Sequence, residues 1–237
     1  METSLHQQLK LHYAGEGDEI EVRLGDYIID VVSGTELIEI QCASLSAIRD
    51  KIRDLLASHP VRVVKPLAGR KYLVRKKARG NKILSSRFSP VRETWIDLFE
   101  ELVHFVTVFP HEQLTLEVAL VELEEHRVPV KRRGWRKKDY RTTDRLLKGV
   151  METKQLRTAF DLWELLPAQP EGQFTTSEIA EAASVPRWTA QKIAYCLRET
   201  GCIRLVGKRG KALLYELNEA TVQPKEKSRK SRKQDAA

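Results

Sequence analysis

Glu21, Asp30 and Glu39 fall on three consecutive strand-like runs, Glu19 to Leu24, Tyr27 to Val32 and Glu36 to Gln41. Gly25-Asp26 and Ser33-Gly34-Thr35 separate the runs, and both suit tight hairpin turns. If the second hairpin closes on Gly34-Thr35, positions whose numbers sum to 69 face each other, and Asp30 lies opposite Glu39. A first turn on Gly25-Asp26 brings Glu21 opposite Asp30, whereas a turn on Leu24-Gly25 brings Glu19 there. Directly opposed carboxylates have Cβ atoms ~4.5–5.5 Å apart and repel. A divalent cation relieves that repulsion, and a cluster of carboxylate oxygens suits Mg²⁺ or Mn²⁺. Gln41, two residues past Glu39, shares its face.

The flanks of these acids are apolar. Ile28-Ile29-Asp30-Val31-Val32 and Leu37-Ile38-Glu39-Ile40 lack the alternation of a half-solvated sheet, so both carboxylates sit where apolar side chains are expected. A buried, unpaired charge is costly. The alternative to a metal is therefore an ion pair with a base such as Arg49 or Lys51 on the helix that follows.

The order helix, hairpin strands with a central Asp, then Glu-x-Gln and a second helix resembles the PD-(D/E)XK, or restriction-endonuclease-like, nuclease superfamily. The resemblance covers roughly residues 3–75. Asp30 and Glu39 match the metal-binding acids of its motif, Gln41 stands in place of the lysine, and Ile29 stands where the proline before the Asp is usual. The resemblance implies a restriction-endonuclease-like mixed sheet flanked by helices, and Mg²⁺- or Mn²⁺-dependent hydrolysis of DNA. Glu21, Asp30 and Glu39 would hold the metal, and Gln41 would orient a water without titrating. The competing expectation is an inactive nuclease-fold DNA binder or transcriptional regulator.

A second module follows. Phe174-Thr175-Thr176-Ser177-Glu178-Ile179 carries a capping box, with Thr175 as N-cap and Glu178 at N3. Ser184-Val185-Pro186 turns the chain into a second helix ending at Gly201, with Ala190, Ile193, Ala194 and Leu197 inward. Trp188, Gln191, Lys192 and Tyr195 then project outward. Two strands, Cys202 to Val206 and Ala212 to Leu217, flank Gly207-Lys-Arg-Gly-Lys211. Residues 155–217 resemble a winged helix-turn-helix domain. That resemblance implies duplex DNA as partner, met by Arg187, Gln191 and Lys192 on the helix and Lys208, Arg209 and Lys211 on the wing.

The elements that must position these residues read as an α/β (α+β) chain. A nuclease-like domain is expected at 1–125, a basic connector at 126–154, a winged helix at 155–218 and a disordered basic tail at 219–237. Within these, Leu45 to Ala57 and Thr94 to Val108 read as helices, Val61 to Val64, Lys71 to Arg75 and Leu114 to Leu123 as strands, and Thr142 to Leu166 as mostly helical. Charge is segregated: residues 61–92 hold 11 Lys and Arg with no acid, and 93–125 hold 9 acids with no base. Basic blocks of this kind favour a polyanion, with Arg75, Lys76, Lys77, Lys131, Arg132 and Arg133 as candidate phosphate contacts. A second copy of the chain stays open as a partner.

Other chemistry is excluded or weak. No run approaches the ~20 apolar residues of a membrane span, and the N-terminus lacks a secretory pattern; a cytoplasmic location is expected. Cys42, Cys196 and Cys202 make neither a disulfide framework nor a CxxC pair. His111-Glu112 has no second histidine at helical spacing, and Gly-Lys-Arg-Gly-Lys lacks the spacing of a P-loop.

Overall fold

Glycine at the first position of each two-residue loop allows the backbone that antiparallel strands need to turn back on themselves. Gly25 (φ 58°) and Gly34 (φ 57°) supply it in the computed structural model, which describes residues 3–78, 82–130, 139–218 and 220. The helix α1 (Ser4–Tyr13) leads into β1 (Glu19–Leu24), β2 (Tyr27–Ser33) and β3 (Glu36–Ile40). Both hairpins take the expected register: Ile20 pairs with Val31, and Val31 pairs with Ile38.

A short 3₁₀ turn (Leu45–Ala47) and α2 (Arg49–Leu55) then carry the chain over the sheet to β4 (Val61–Lys76), which runs parallel to β3. Next come β5 (Ile83–Phe88), a 3₁₀ turn (Trp95–Asp97), α3 (Leu98–Leu102), β6 (Leu114–Pro129) and β7 (Tyr140–Leu156). The sheet order is β1-β2-β3-β4-β6-β7, with β5 pairing the second half of β4. The result is a large mixed sheet flanked by helices.

Each face buries its own core. Leu5 and Leu9 of α1 pack with Val31, Ile38, Ile40, Val64, Ala119 and Val121 on one face. On the other, Ile52 and Leu55 of α2 and Phe99 and Leu102 of α3 cover Ile29, Leu37, Val63 and Leu116.

The remaining elements are α4 (Ala159–Trp163), β8 (Gln173–Phe174), α5 (Thr176–Ala182), α6 (Arg187–Glu199), β9 (Ile203–Arg209) and β10 (Ala212–Leu217). The three strands form a small sheet of order β8-β10-β9. The second core is continuous with this module, since Leu162, Ile193, Cys196 and Leu197 belong to it. The Cys196 thiol lies 3.8 Å from the Phe99 carbonyl. Burial pushes the Cys196 and Cys202 thiols up to about 12, as befits core residues.

Three expectations change. Val61 to Val64 and Lys71 to Arg75 are parts of one 16-residue strand with an irregularity between Leu67 and Arg70. The expected connector is no linker: 116–129 and 140–156 form a long antiparallel ladder that ends the sheet. Its polar faces hid it, because cross-strand pairs such as Arg145–Glu125 (3.1 Å) and Lys148–Glu124 (2.8 Å) stand where apolar contacts would. For the same reason Thr142 to Leu156 is a strand, and helix begins only at Ala159. The expected tail lies outside the described residues, apart from Ala220. Among the described residues, no helix is long and apolar enough to cross a membrane.

Candidate functional site

The β2–β3 ladder opens where the acids stand. Pairing is regular from Ser33–Glu36 to Val31–Ile38 and stops before Asp30 and Glu39. Asp30 Oδ2 instead accepts the Ile40 backbone N–H at 2.8 Å. The same oxygen meets His6 Nε2 at 3.1 Å. His6 lies on α1, so Asp30 engages the helix over the first face.

Glu39 turns to the other face. The residue is 4% exposed, and its carboxylate lies 2.5 Å from the Lys51 ammonium on α2. Lys51 also donates to the Ile28 carbonyl at 2.6 Å. Of the two bases the sequence offered, Lys51 is the partner, while Arg49 binds Asp50 (3.2 Å). Burial pushes the Glu39 carboxyl up to about 7, with Lys51 pulling against it.

Glu21 sits in the anticipated register slot but leaves the ladder. Its backbone is left-handed (φ 58°), uncommon outside glycine, and its exposed carboxylate reaches Lys10 at 2.5 Å. Gln41 Oε1 accepts the Ala43 N–H at 2.9 Å, closing a local turn rather than facing the acids. Glu21 is thus drawn off, whereas Asp30 stays near enough to Glu39 for its charge to raise the Glu39 carboxyl, and each acid faces a base. Among the described residues, no group of three His, Cys, Asp or Glu side chains is placed to hold a metal. Each carboxylate already faces a base, Lys10, His6 or Lys51, which the Mg²⁺ or Mn²⁺ that the nuclease resemblance implies would have to displace.

The cationic residues are arranged differently. On α6, Ala190, Ile193, Ala194 and Leu197 are buried, and Trp188 (57% exposed), Gln191 and Tyr195 face out. Lys192 pairs with Glu100 on α3 and lies 4.9 Å over the Trp188 ring. A groove of about 290 Å³ runs between α6 and the wing, lined by Arg187, Gln191, Tyr195, Arg198 and Lys211 among others, with no carboxylate in its walls. Arg198 also meets Glu199 at 2.6 Å. On the wing, Lys208 and Lys211 are exposed, while Arg209 reaches Glu178 (3.0 Å) and the Gln173 carbonyl (2.9 Å).

Arg75 and Lys76 end β4 on opposite faces: Arg75 binds Asp139 (3.1 Å), and Lys76 meets His126 Nδ1 (3.2 Å). Lys77 is exposed, and its backbone N–H donates to Lys82. Lys131, Arg132 and Arg133 lie outside the described residues.

A cleft of about 370 Å³ is mixed in charge. Lys65, Lys71 and Arg145 line it together with Glu93, Asp97, Glu100 and Glu101. Lys65 is itself buried, donating to the Ala43 carbonyl at 2.5 Å beside Glu101. Four carboxylates in one wall disfavour a phosphate there.

The sheet, its paired acids and the long hairpin all lie within residues 3–157, which match a family described as "Domain of unknown function (DUF8091)". The chain belongs to that family. Over 219 residues it is also 28% identical to an "Uncharacterized protein" of Treponema pallidum (strain Nichols), spanning 90% of this chain and 84% of the relative. The likeness therefore runs past the family domain into the C-terminal module. No solved structure matches the chain.

Proposed function

We propose that this DUF8091 protein binds duplex DNA through its C-terminal module and does not itself cut it. The observation that carries the reading is the α6–wing groove, where Arg187, Arg198 and Lys211 converge in walls that hold no carboxylate, Arg198 also being paired with Glu199 outside them. The order α4-β8-α5-α6-β9-β10, with β10 between β8 and β9, supports reading the module as a winged helix. In that arrangement α6 enters the major groove and the wing meets phosphates. Gln191 and Tyr195 offer base-edge and apolar contacts, while the cations position the duplex and carry no sequence information.

The order α1-β1-β2-β3-α2-β4, with β3 parallel to β4, supports reading the sheet as a nuclease-like scaffold. Its acids are engaged by Lys10, His6 and Lys51, which favours a role in shape over catalysis. Metal-dependent cleavage stands as a second reading, favoured by the ladder opening at Asp30 and Glu39.

One titration separates these readings. Fluorescence anisotropy of a labelled duplex across a salt series should show binding by the full chain. Replacing Arg187, Arg198 and Lys211 together with Ala should lower the log–log salt slope by about 2 to 3. Incubation of the same duplex with Mg²⁺ or Mn²⁺ should leave it intact. Cleavage abolished by Asp30→Ala would replace the non-catalytic reading with the nuclease one, and an absence of binding at every salt would end both.

A further inference from the structure

We propose that one face of the β5-β4-β6-β7 arm is a second, separate seat for the phosphate backbone of duplex DNA, built from Arg75, Arg87 and Arg127, with Lys71 and Arg145 at its edge. The proposal rests on the DNA-binding reading above but uses none of its residues.

Register puts these side chains together. Arg87 of β5 pairs with Leu73 of β4, Leu73 with Glu125 of β6, and Glu125 with Arg145 of β7, making one row across four strands. Two residues further along, Ser85, Arg75 and Arg127 form the next row, and Lys71 lies on the same face two residues back. An exposed row of cations on rigid strands would be disordered by its own repulsion unless something held it.

Glu125 holds it. The carboxylate is 2% exposed, with Oε1 accepting from Arg127 at 2.6 Å and Oε2 from Arg145 at 3.1 Å. Burial opposes its ionisation, but Arg127 and Arg145 outweigh burial and keep the carboxyl below its usual range. A guanidinium carries five N–H donors, so one carboxylate beneath the face uses only part of each arginine. Arg127 is also stacked 4.0 Å over the Tyr140 ring, and Arg75 is tethered to Asp139. Above them lies a hollow of about 260 Å³ lined by Leu73, Arg75, Arg87, Arg127 and Tyr140 among others. In the hollow itself Arg75, Arg87 and Arg127 meet Asp139, with Glu125 buried beneath, which leaves it net positive, while Lys71 and Arg145 stand at its edge toward the mixed cleft. Pre-organised arginines lose little freedom on meeting a phosphate, which makes such a face effective for backbone contact.

The test leaves Glu125 and its two arginines intact. In the full chain, Lys71→Ala, Arg75→Ala and Arg87→Ala together should lower the salt slope of duplex binding by about 2 to 3, beside an unchanged thermal melt. Arg87→Glu alone, on the exposed edge strand, should weaken binding more than Arg87→Ala. If slope and affinity stay at the parent values while the α6-groove variant weakens binding, the arm is not a seat and the DNA-binding reading stands. If the parent chain binds no duplex at any salt, both proposals fall together.

Discussion

The acids of the sheet and the cations of the C-terminal groove began as equal claims on function, and the fold treats them in opposite ways. Glu39 is buried against Lys51, Asp30 meets His6 and a backbone N–H, and Glu21 is drawn off to Lys10. Arg187, Gln191 and Lys211 instead line an open groove. A charge engaged from within has its capacity taken up by its partner, and where burial outweighs that partner, as at Glu39, the pair does not even offset desolvation in full. A charge left facing solvent on a rigid element keeps its capacity for a ligand. Residue type and spacing were equally suggestive in both regions, and only the partners distinguish them.

The sharpest test of this contrast is the pH dependence of stability. In the folded protein Glu39 titrates at about 7, up from 4.5 when unfolded. Between these values the folded chain binds more protons than the unfolded one, so stability falls as pH rises through that window. Fully realised, the loss is on the order of 3 kcal/mol from this group. Glu39→Gln should flatten that part of the curve in urea titrations run from pH 4.5 to 8. An equally steep decline in the variant would mean that Glu39 is solvated and open to a ligand after all.

Lys51→Met comes next in size. It keeps the aliphatic stem but removes the charge facing Glu39, and it should cost about 2–3 kcal/mol at pH 8. The cost should shrink at pH 5, where the protonated carboxyl needs no ammonium. Adding Glu39→Gln to Lys51→Met should restore most of the loss, because the two residues act as a pair. A neutral Lys51→Met at pH 8 would break the comparison on its sheet side.

Much of the frame was legible beforehand. Gly25-Asp26 and Gly34-Thr35 fixed both hairpin registers, and the capping box at Thr175 placed α5. The buried face of α6 followed from helical periodicity. Two things escaped. The hairpin of β6 and β7 is stabilised in part by ion pairs between its strands, so it shows neither apolar alternation nor helical periodicity. The departure of Glu21 and the pairing of the acids depend on Glu21 adopting a left-handed backbone and on Lys10, His6 and Lys51 arriving from two different helices. Register names which residues oppose each other across a ladder but not whether the ladder stays closed there. Lys51 was foreseeable as a partner; His6, on the helix that precedes the strands, was not.

The smallest expected effect probes the one wing cation that the fold has partly claimed. Glu178 caps α5, taking the Thr175 backbone N–H at 2.7 Å and its hydroxyl at 3.0 Å, and it also binds Arg209. Glu178→Gln preserves the capping geometry, since Gln serves at N3 as well, yet it removes the charge that holds Arg209. Stability should barely move, whereas Thr175→Ala, which deletes the cap hydroxyl, should cost about 1 kcal/mol. With Arg209 released toward solvent, duplex binding by Glu178→Gln should become more salt-sensitive, the slope steepening by up to about 1. A cation freed from its internal partner would then behave like Lys208 and Lys211 beside it. A slope that stays put while the fold is intact would place Arg209 outside the DNA interface, and would confine the wing's share of binding to the two lysines.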